Sequence, residues 1–294
     1  MEYASQASFL ERLRSEGEIL WTYFTRDKAG NWRVKPHARR AFYAFMATWS
    51  IYLRDPSRYG WRDVLADLPP PEITEERLPL TAEQRGLAQA FHVENGSGLF
   101  GTERLGVRQR TKLAQLARGF LYEGRRVRRV ASRKPGQVAA IALSEAAAGR
   151  QVLLWTTFDE EGAILSGLLP RAAALSGATP EAERERTLER FRAGEIRILI
   201  TKPQLLGYGM NFQFVRSMVF SGFDDSFERM YQAIRRAYRL GQTEPVRVFV
   251  PYVPELEGLV LENVRAKERR FLAEVATQED AYIEALRELG EVAA

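Results

Sequence analysis

Val152-Leu153-Leu154-Trp155, at 152–155, is an unbroken apolar run that stops at two threonines, Thr156 and Thr157. A short run without polar alternation reads as a strand buried on both faces, and such strands belong to parallel sheets covered by helices. The flanks repeat the theme. A helix is expected at 135–149, another near 159–169, a short strand at 171–175 and a helix at 180–193. Strands at 196–200, 217–220 and 246–250, with a helix at 226–238, complete the alternation. Strands and helices in turn specify an α/β domain with a parallel sheet over about 134–254. In such sheets ligand chemistry gathers beyond the carboxyl ends of the strands. That singles out Thr156-Thr157, Thr201-Lys202 and the chain from Ser221 onward.

Elsewhere the texture differs. Residues 1–103 read as a mixed α/β segment and connector: a helix through 4–16, then a hairpin from 19–24 and 32–35 turning through 27–31. A helix follows Pro36, and Leu68-Pro69-Pro70-Pro71 breaks regular structure. Trp21, Trp32, Phe42, Phe45, Trp49 and Trp61 crowd this part as core rather than as a ligand cage. Residues 104–133 form a basic lead-in, with a helix around 104–120 and a short hairpin after it. Residues 255–294 read as a charged helical tail of one or two helices.

The 294 residues suit one large domain or two modest ones, and 45% hydrophobic with 28% charged residues is ordinary for a soluble globular protein. The sequence shows no apolar run of membrane-spanning length and no cleavable leader, so a cytoplasmic protein without a membrane partner is expected. With no cysteine, disulfides and zinc-thiolate sites are excluded, and His37 and His92 alone do not suggest a histidine-based site. The net charge is +5, but it is unevenly placed. Between Arg104 and Lys134 eleven Lys or Arg, among them Arg125, Arg126, Arg128 and Arg129, face one acid, Glu123. A local excess of this kind is the footprint of a phosphate-backbone binder, the alternative being a solvated basic face.

The other chemistry-bearing stretch is Gln-Ala-Ile-Arg-Arg-Ala-Tyr-Arg-Leu-Gly-Gln at 232–242. On a helix, Gln232, Arg236 and Arg239 at i, i+4 and i+7 share one face. Two guanidiniums aimed together suit a phosphoryl group, as an arginine finger does; a surface helix of ordinary basic character is the alternative.

These residues also resemble a known family. Gln232-x-x-x-Arg236-x-x-Arg239, continued by Leu240-Gly241-Gln242, resembles the sixth motif of superfamily-two helicases in its Swi/Snf-type form. Thr201-Lys202 with Gly207-Tyr208-Gly209-Met210-Asn211 looks like the fifth motif, and 152–158 like the fourth. The likeness covers about 134–252, and earlier segments resemble the insertion and lead-in of phage and prophage helicases. It implies a RecA-like C-terminal lobe of an ATP-dependent DNA translocase, completed by an N-terminal ATPase lobe or subunit, with ATP and Mg2+ at the interface. By this resemblance Arg239 is the finger with Arg236 beside it, and Gln232 couples nucleotide to lobe closure. Gly207, Gly209 and Asn211 line the loop between ATP and DNA. Thr201, with Lys202 as neighbour, touches the double-stranded DNA backbone, and Thr156 and Thr157 are weaker candidates. Arg235 and Tyr238 stand where remodelers commonly carry Asp and His, which places chromatin-type remodelling in doubt.

No Gly-x-x-x-x-Gly-Lys-Ser/Thr loop occurs in the sequence. Asp159-Glu160 and Asp224-Asp225 are poor substitutes for a metal-holding acidic box. The expectation is a chain that starts after the third motif and hydrolyses nothing by itself. Gly96–Gly101 satisfies Gly-x-Gly-x-x-Gly but follows a helix-like stretch, so a loop is expected there. The rival readings are a DNA-binding module without ATPase activity and a regulatory protein that lends an arginine in trans.

Overall fold

A computed structural model describes residues 2–27, 30, 32–51, 56–62, 68–94, 106–205, 211–223 and 226–288. The chain divides into two units, residues 1–63 with 269–294, and residues 64–268.

The first unit carries α1 (Glu2–Phe9), α2 (Glu16–Tyr23), β1 (Phe24–Arg26), β2 (Trp32–Val34) and α3 (Arg39–Ala47). The helix expected over 4–16 stops early. Glu11 takes the left-handed conformation at φ 56°, and the Arg12 amide donates back to the Ala7 carbonyl, which closes α1. Residues 19–23, expected as the first hairpin strand, belong to α2, leaving a short hairpin in which Phe24 pairs with Val34. Phe42, Tyr43, Met46, Ile19, Tyr282 and Ile283 form the core of this unit, so part of the aromatic cluster is core as expected. Trp21 and Trp61 are corrections, being 77% and 56% exposed.

The second unit contains β3 (Glu72–Arg77), α4 (Ala82–Glu94), α5 (Val107–Ala117), β4 (Phe120–Glu123), β5 (Arg126–Arg129), α6 (Lys134–Ala147) and β6 (Val152–Trp155). After these come α7 (Asp159–Leu168), β7 (Ala173–Ala174), α8 (Glu181–Arg192), β8 (Ile198–Thr201), β9 (Ser217–Phe220), α9 (Phe227–Arg235) and β10 (Arg247–Tyr252). The tail is a single helix, α10 (Pro254–Glu288), of which residues 254–268 belong to this unit and the remainder to the first.

The sheet runs β3-β10-β9-β6-β8-β7, and every adjacent pair is parallel. The expected RecA-like lobe with a parallel sheet is therefore present, with a helical tail. Every residue of β6, β8 and β9 is buried, which is why these strands carry no polar alternation. Trp155, Phe220, Met218 and Phe191 fill one side of the sheet, and Val152, Leu154, Val219 and Leu165 the other.

The stretch 68–71 carries no regular structure, and the strand β3, which the sequence did not announce, follows it directly. This strand pairs with β10 over its full length, Glu72 opposite Arg247 through Arg77 opposite Tyr252. As an edge strand it has no apolar run to betray it, and its charges are engaged: Glu75 holds Arg265, and Glu76 accepts from Gln137 at 2.8 Å.

Glu145, on α6, ties the helix to the sheet. It accepts from Arg150 Nε at 2.6 Å and from Arg247 Nη1 at 2.6 Å. Burial works to raise its pKa, but the bond from Arg150 and the charge of Arg247 outweigh it, so the carboxyl lies below its ordinary value. A folded pKa below the unfolded one gives stability that is present above about pH 4.5 and lost as pH falls through the folded value. Glu145→Gln is expected to cost about 1–3 kcal/mol at pH 7. It should also flatten the acid limb of the stability curve, as read by urea unfolding across pH 3–7.

Candidate functional site

The chain leaving β6 continues to α7 and the β7–β8 side of the sheet, whereas the chain leaving β9 continues to α9 and β10 on the other side. The carboxyl ends of β6 and β9 thus flank a crevice of the kind in which parallel sheets bind ligands.

Glu161, in the first turn of α7, organises this crevice. Its Oε2 accepts from the Thr157 amide at 2.8 Å, the Thr157 hydroxyl at 3.2 Å and the Phe158 amide at 3.2 Å. Its Oε1 accepts from Ser221 Oγ at 2.7 Å and Arg118 Nε at 3.1 Å. Arg118 comes from the end of α5, and its Nη2 donates to the Phe223 carbonyl at 3.1 Å. Glu257 of α10 lies 3.7 Å from Arg118 and accepts from Lys134 Nζ at 2.7 Å and 2.8 Å. All four charged residues are 2% exposed or less. Burial pushes the Lys134 pKa below its ordinary value, against the pull of Glu257. A Cβ on Gly222 would come within 2.8 Å of Arg118, Glu161 and Thr157, so only glycine fits there.

This network corrects the reading of the basic lead-in. Arg118 and Lys134 belong to an internal set of two cations and two carboxylates and add nothing to a surface footprint. Arg125, Arg126, Arg128 and Arg129 are exposed on the turn and strand of the β4–β5 hairpin. Arg128 lies 3.6 Å from Glu83, and Arg129 pairs with Glu160 at 2.5 Å. The Glu160 amide also donates to the Tyr122 hydroxyl at 3.3 Å, which docks the hairpin beside the start of α7.

The threonines meet at the strand ends but differ in access. Thr156 and Thr201 are buried, with the Thr156 hydroxyl 3.4 Å from the Thr201 carbonyl, whereas Thr157 is half-buried. Lys202 Nζ donates to Asp159 Oδ1 at 2.7 Å, so its charge is locally matched. Asp159 and Glu160, at the start of α7, are thus both engaged with cations. Asp224-Asp225, Gly207, Gly209 and the Gly96–Gly101 loop lie outside the described residues.

The sixth-motif stretch departs from the expected single helical face. The helix α9 ends at Arg235, because the Arg236 carbonyl accepts from the Phe212 amide at 2.9 Å. Arg239 therefore sits past the helix end, exposed; its carbonyl accepts from the Gln242 amide at 3.1 Å, and no hydrogen bond or ion pair engages its side chain among the described residues. Gly241 then turns the chain at φ 100°, and Gln242, buried, donates from Nε2 to the Val215 carbonyl at 2.9 Å. Gln242, quoted in the motif without a role, is what fastens its end to the segment before β9. Asn211 is exposed and folds over its own turn, accepting from the Gln213 amide at 3.0 Å.

Arg236 is half-buried, with Nη2 3.4 Å from the Pro203 carbonyl. A cavity of about 330 Å³ opens between Pro203-Gln204 and the residues Ser226, Arg229, Gln232 and Arg236. Gln232 and Arg236 therefore converge with the segment following Thr201-Lys202, while Arg239 stands outside. Arg229 is a cation of this cavity that the sequence reading passed over; it lies one turn before Gln232, at the i+3 spacing that marks a shared face.

No curated protein matches the chain. Among solved structures, the C-terminal part of the Fun30 ATPase domain is similar with a TM-score of 0.49 and 13% identity, over 67% of this chain and 90% of that one. Residues 134–241 match the helicase conserved C-terminal domain. The matched stretch runs from α6 through β6, β8 and β9 to the turn after α9 and is less than half of the chain.

Proposed function

We propose that this domain is the second lobe of an ATP-driven DNA translocase, working against an ATPase lobe supplied by another segment or subunit. The observation that carries the reading is the convergence of Gln232 and Arg236 with Pro203-Gln204 around one cavity at the carboxyl side of the sheet. The segment that follows Thr201-Lys202 and the sixth-motif residues Gln232 and Arg236 thereby border one cavity. ATP with Mg2+ would supply the phosphoryl transfer that drives the cycle. The donor set fits the phosphate end of such a ligand: two guanidiniums, two amides and the Ser226 hydroxyl, with Glu228 as the one carboxylate among the described lining residues. The metal would then be held chiefly by the phosphates and by the other lobe. In this reading Arg239, whose side chain is exposed and unengaged among the described residues, reaches across, and Arg236 and Gln232 orient that reach. Thr157 and the hairpin arginines are placed as contacts to the backbone of double-stranded DNA, with Gly207, Gly209 and Asn211 between the two ligands.

The test is an ATPase assay with and without duplex DNA. The chain alone should hydrolyse nothing, and addition of a matching ATPase lobe should produce DNA-stimulated turnover. Absence of turnover with every candidate lobe, together with intact DNA binding, would leave a DNA-binding module instead. Replacing Arg125, Arg126, Arg128 and Arg129 by Gln should lower the slope of log affinity against log salt by about 2–4. An unchanged slope removes the hairpin from the DNA contact.

A further inference from the structure

The first unit, which lies outside residues 134–241, carries an aromatic surface that its core does not use. From Leu20 to Arg40 the sequence holds six Lys or Arg against one acid, Asp27, with Trp21 and Trp32 among them. Trp21, in the last turn of α2, is 77% exposed. A Cβ on Gly17 would stand 3.7 Å from its Cδ1 and Nε1, so the indole lies back along its own helix. Trp32 of β2 meets it edge-on, with ring centroids 6.3 Å apart and planes at 86°. Arg26, opposite Trp32 across the hairpin, rests its guanidinium 4.8 Å from the Trp32 centroid. Several neighbouring charges are already engaged within the chain. Arg33 Nε donates to Asp27 Oδ2 at 3.3 Å, and Lys35 Nζ to the Trp21 and Thr22 carbonyls at 2.7 Å and 3.1 Å. Arg40 pairs with Glu288, and Glu18 accepts from the Arg14 amide at 3.0 Å. Arg26 is exposed, and no hydrogen bond or ion pair engages its side chain among the described residues.

We propose that Trp21, Trp32 and Arg26 form a platform for single-stranded nucleic acid, on which an unpaired base stacks over Trp21 while Arg26 takes an adjoining phosphate. An indole left in water forgoes the burial that its apolar surface favours. Here the ring is braced on one edge and along its helix, and it presents its remaining surface to solvent. Rings held in this way are what unpaired bases stack on, since every base has a flat π-face. In a duplex those faces are covered by the neighbouring pairs, so a stacking platform selects open strands. The guanidinium beside the rings narrows the class further. It calls for an anion next to a planar apolar group, which neither an apolar protein side chain nor a neutral sugar provides. The site is separate in sequence from the β4–β5 hairpin and lies in the other unit. The proposal does not depend on the translocase reading.

The experiment is fluorescence anisotropy of the full chain with a labelled oligothymidylate of about 12 nucleotides, set against an abasic strand and a duplex of the same length. The oligothymidylate should bind saturably and more tightly than the abasic strand, which has the phosphates without the bases. Trp21→Ala should weaken oligothymidylate binding by about tenfold and leave the abasic strand and the duplex unaffected, as loss of one stacked base predicts. Trp21→Phe should recover part of the loss. Arg26→Gln should lower the slope of log affinity against log salt for the single strand by about 0.7. The Gln replacements of Arg125, Arg126, Arg128 and Arg129 should leave the Trp21 effect intact, which separates this site from the duplex contact. Circular dichroism of each variant checks that the fold is kept. Absence of saturable oligothymidylate binding overturns the proposal, as does parent affinity in Trp21→Ala. A loss of equal size for all three ligands also overturns it, because the ring then supports the fold and stacks on nothing.

Discussion

Arg239→Ala, in the assembly completed by an ATPase lobe, is expected to lower kcat by roughly a thousandfold or more, the scale on which a finger arginine contributes. Nucleotide affinity should change far less, because the finger acts on charge that develops during transfer. The structure separates this residue from its neighbour. The Arg239 side chain is exposed and unengaged among the described residues, so its loss should leave the melting temperature unaltered. Arg236 reaches the Pro203 carbonyl and is half-buried, so Arg236→Ala should reduce both turnover and stability. Single-turnover kinetics with thermal melts of both variants read the difference. An Arg239→Ala assembly that turns over at the parent rate removes the finger assignment.

The largest loss of stability is expected from Glu161→Ala. Glu161 accepts five hydrogen bonds, from Thr157 twice, Phe158, Ser221 and Arg118. Removing it strands Arg118 in an interior where Glu257, 3.7 Å away, is already engaged by Lys134. Breaking one side of a buried ion pair costs about 3–5 kcal/mol. For a unit of this size that corresponds to a fall in Tm of roughly 6–20 °C. Glu161→Gln keeps the shape and one acceptor and should cost less. A paired replacement of Arg118 and Glu161 by apolar residues of similar volume should recover part of the loss, because neither charge is then left alone. Urea unfolding of the four proteins gives the coupling directly. Additive effects would show that the two side chains act independently.

How far the sequence could be read follows from where each signal is stored. The strands β6, β8 and β9 were legible because every residue in them is buried, so composition alone marks them. The strand β3 was not, because an edge strand with Glu75 and Glu76 in polar contacts carries the composition of a loop. Arg118 and Lys134 were misread for a related reason. They belong to a segment rich in exposed arginines such as Arg125, Arg126, Arg128 and Arg129, while the carboxylates that hold them inside come from residues 161 and 257. The end of α9 was hidden as well. The spacing of Gln232, Arg236 and Arg239 continues a helical period, and the group that stops the helix is an amide from residue 212. Local pattern therefore delivered the sheet and the neighbourhood of the site, and failed wherever a distant partner decided the outcome.

That amide has a mechanical consequence. Phe212 is wedged in the core beside Phe191 and Phe214, and its backbone grips the carbonyl of Arg236. Gln242 clamps Val215 from the other side of the same turn. Two hydrogen bonds thus tie the turn after α9 to residues 212–215, so a displacement of one segment is expected to carry the other. Loss of one clamp leaves the turn held by the other, so only removal of both is expected to uncouple Arg236 from Phe212.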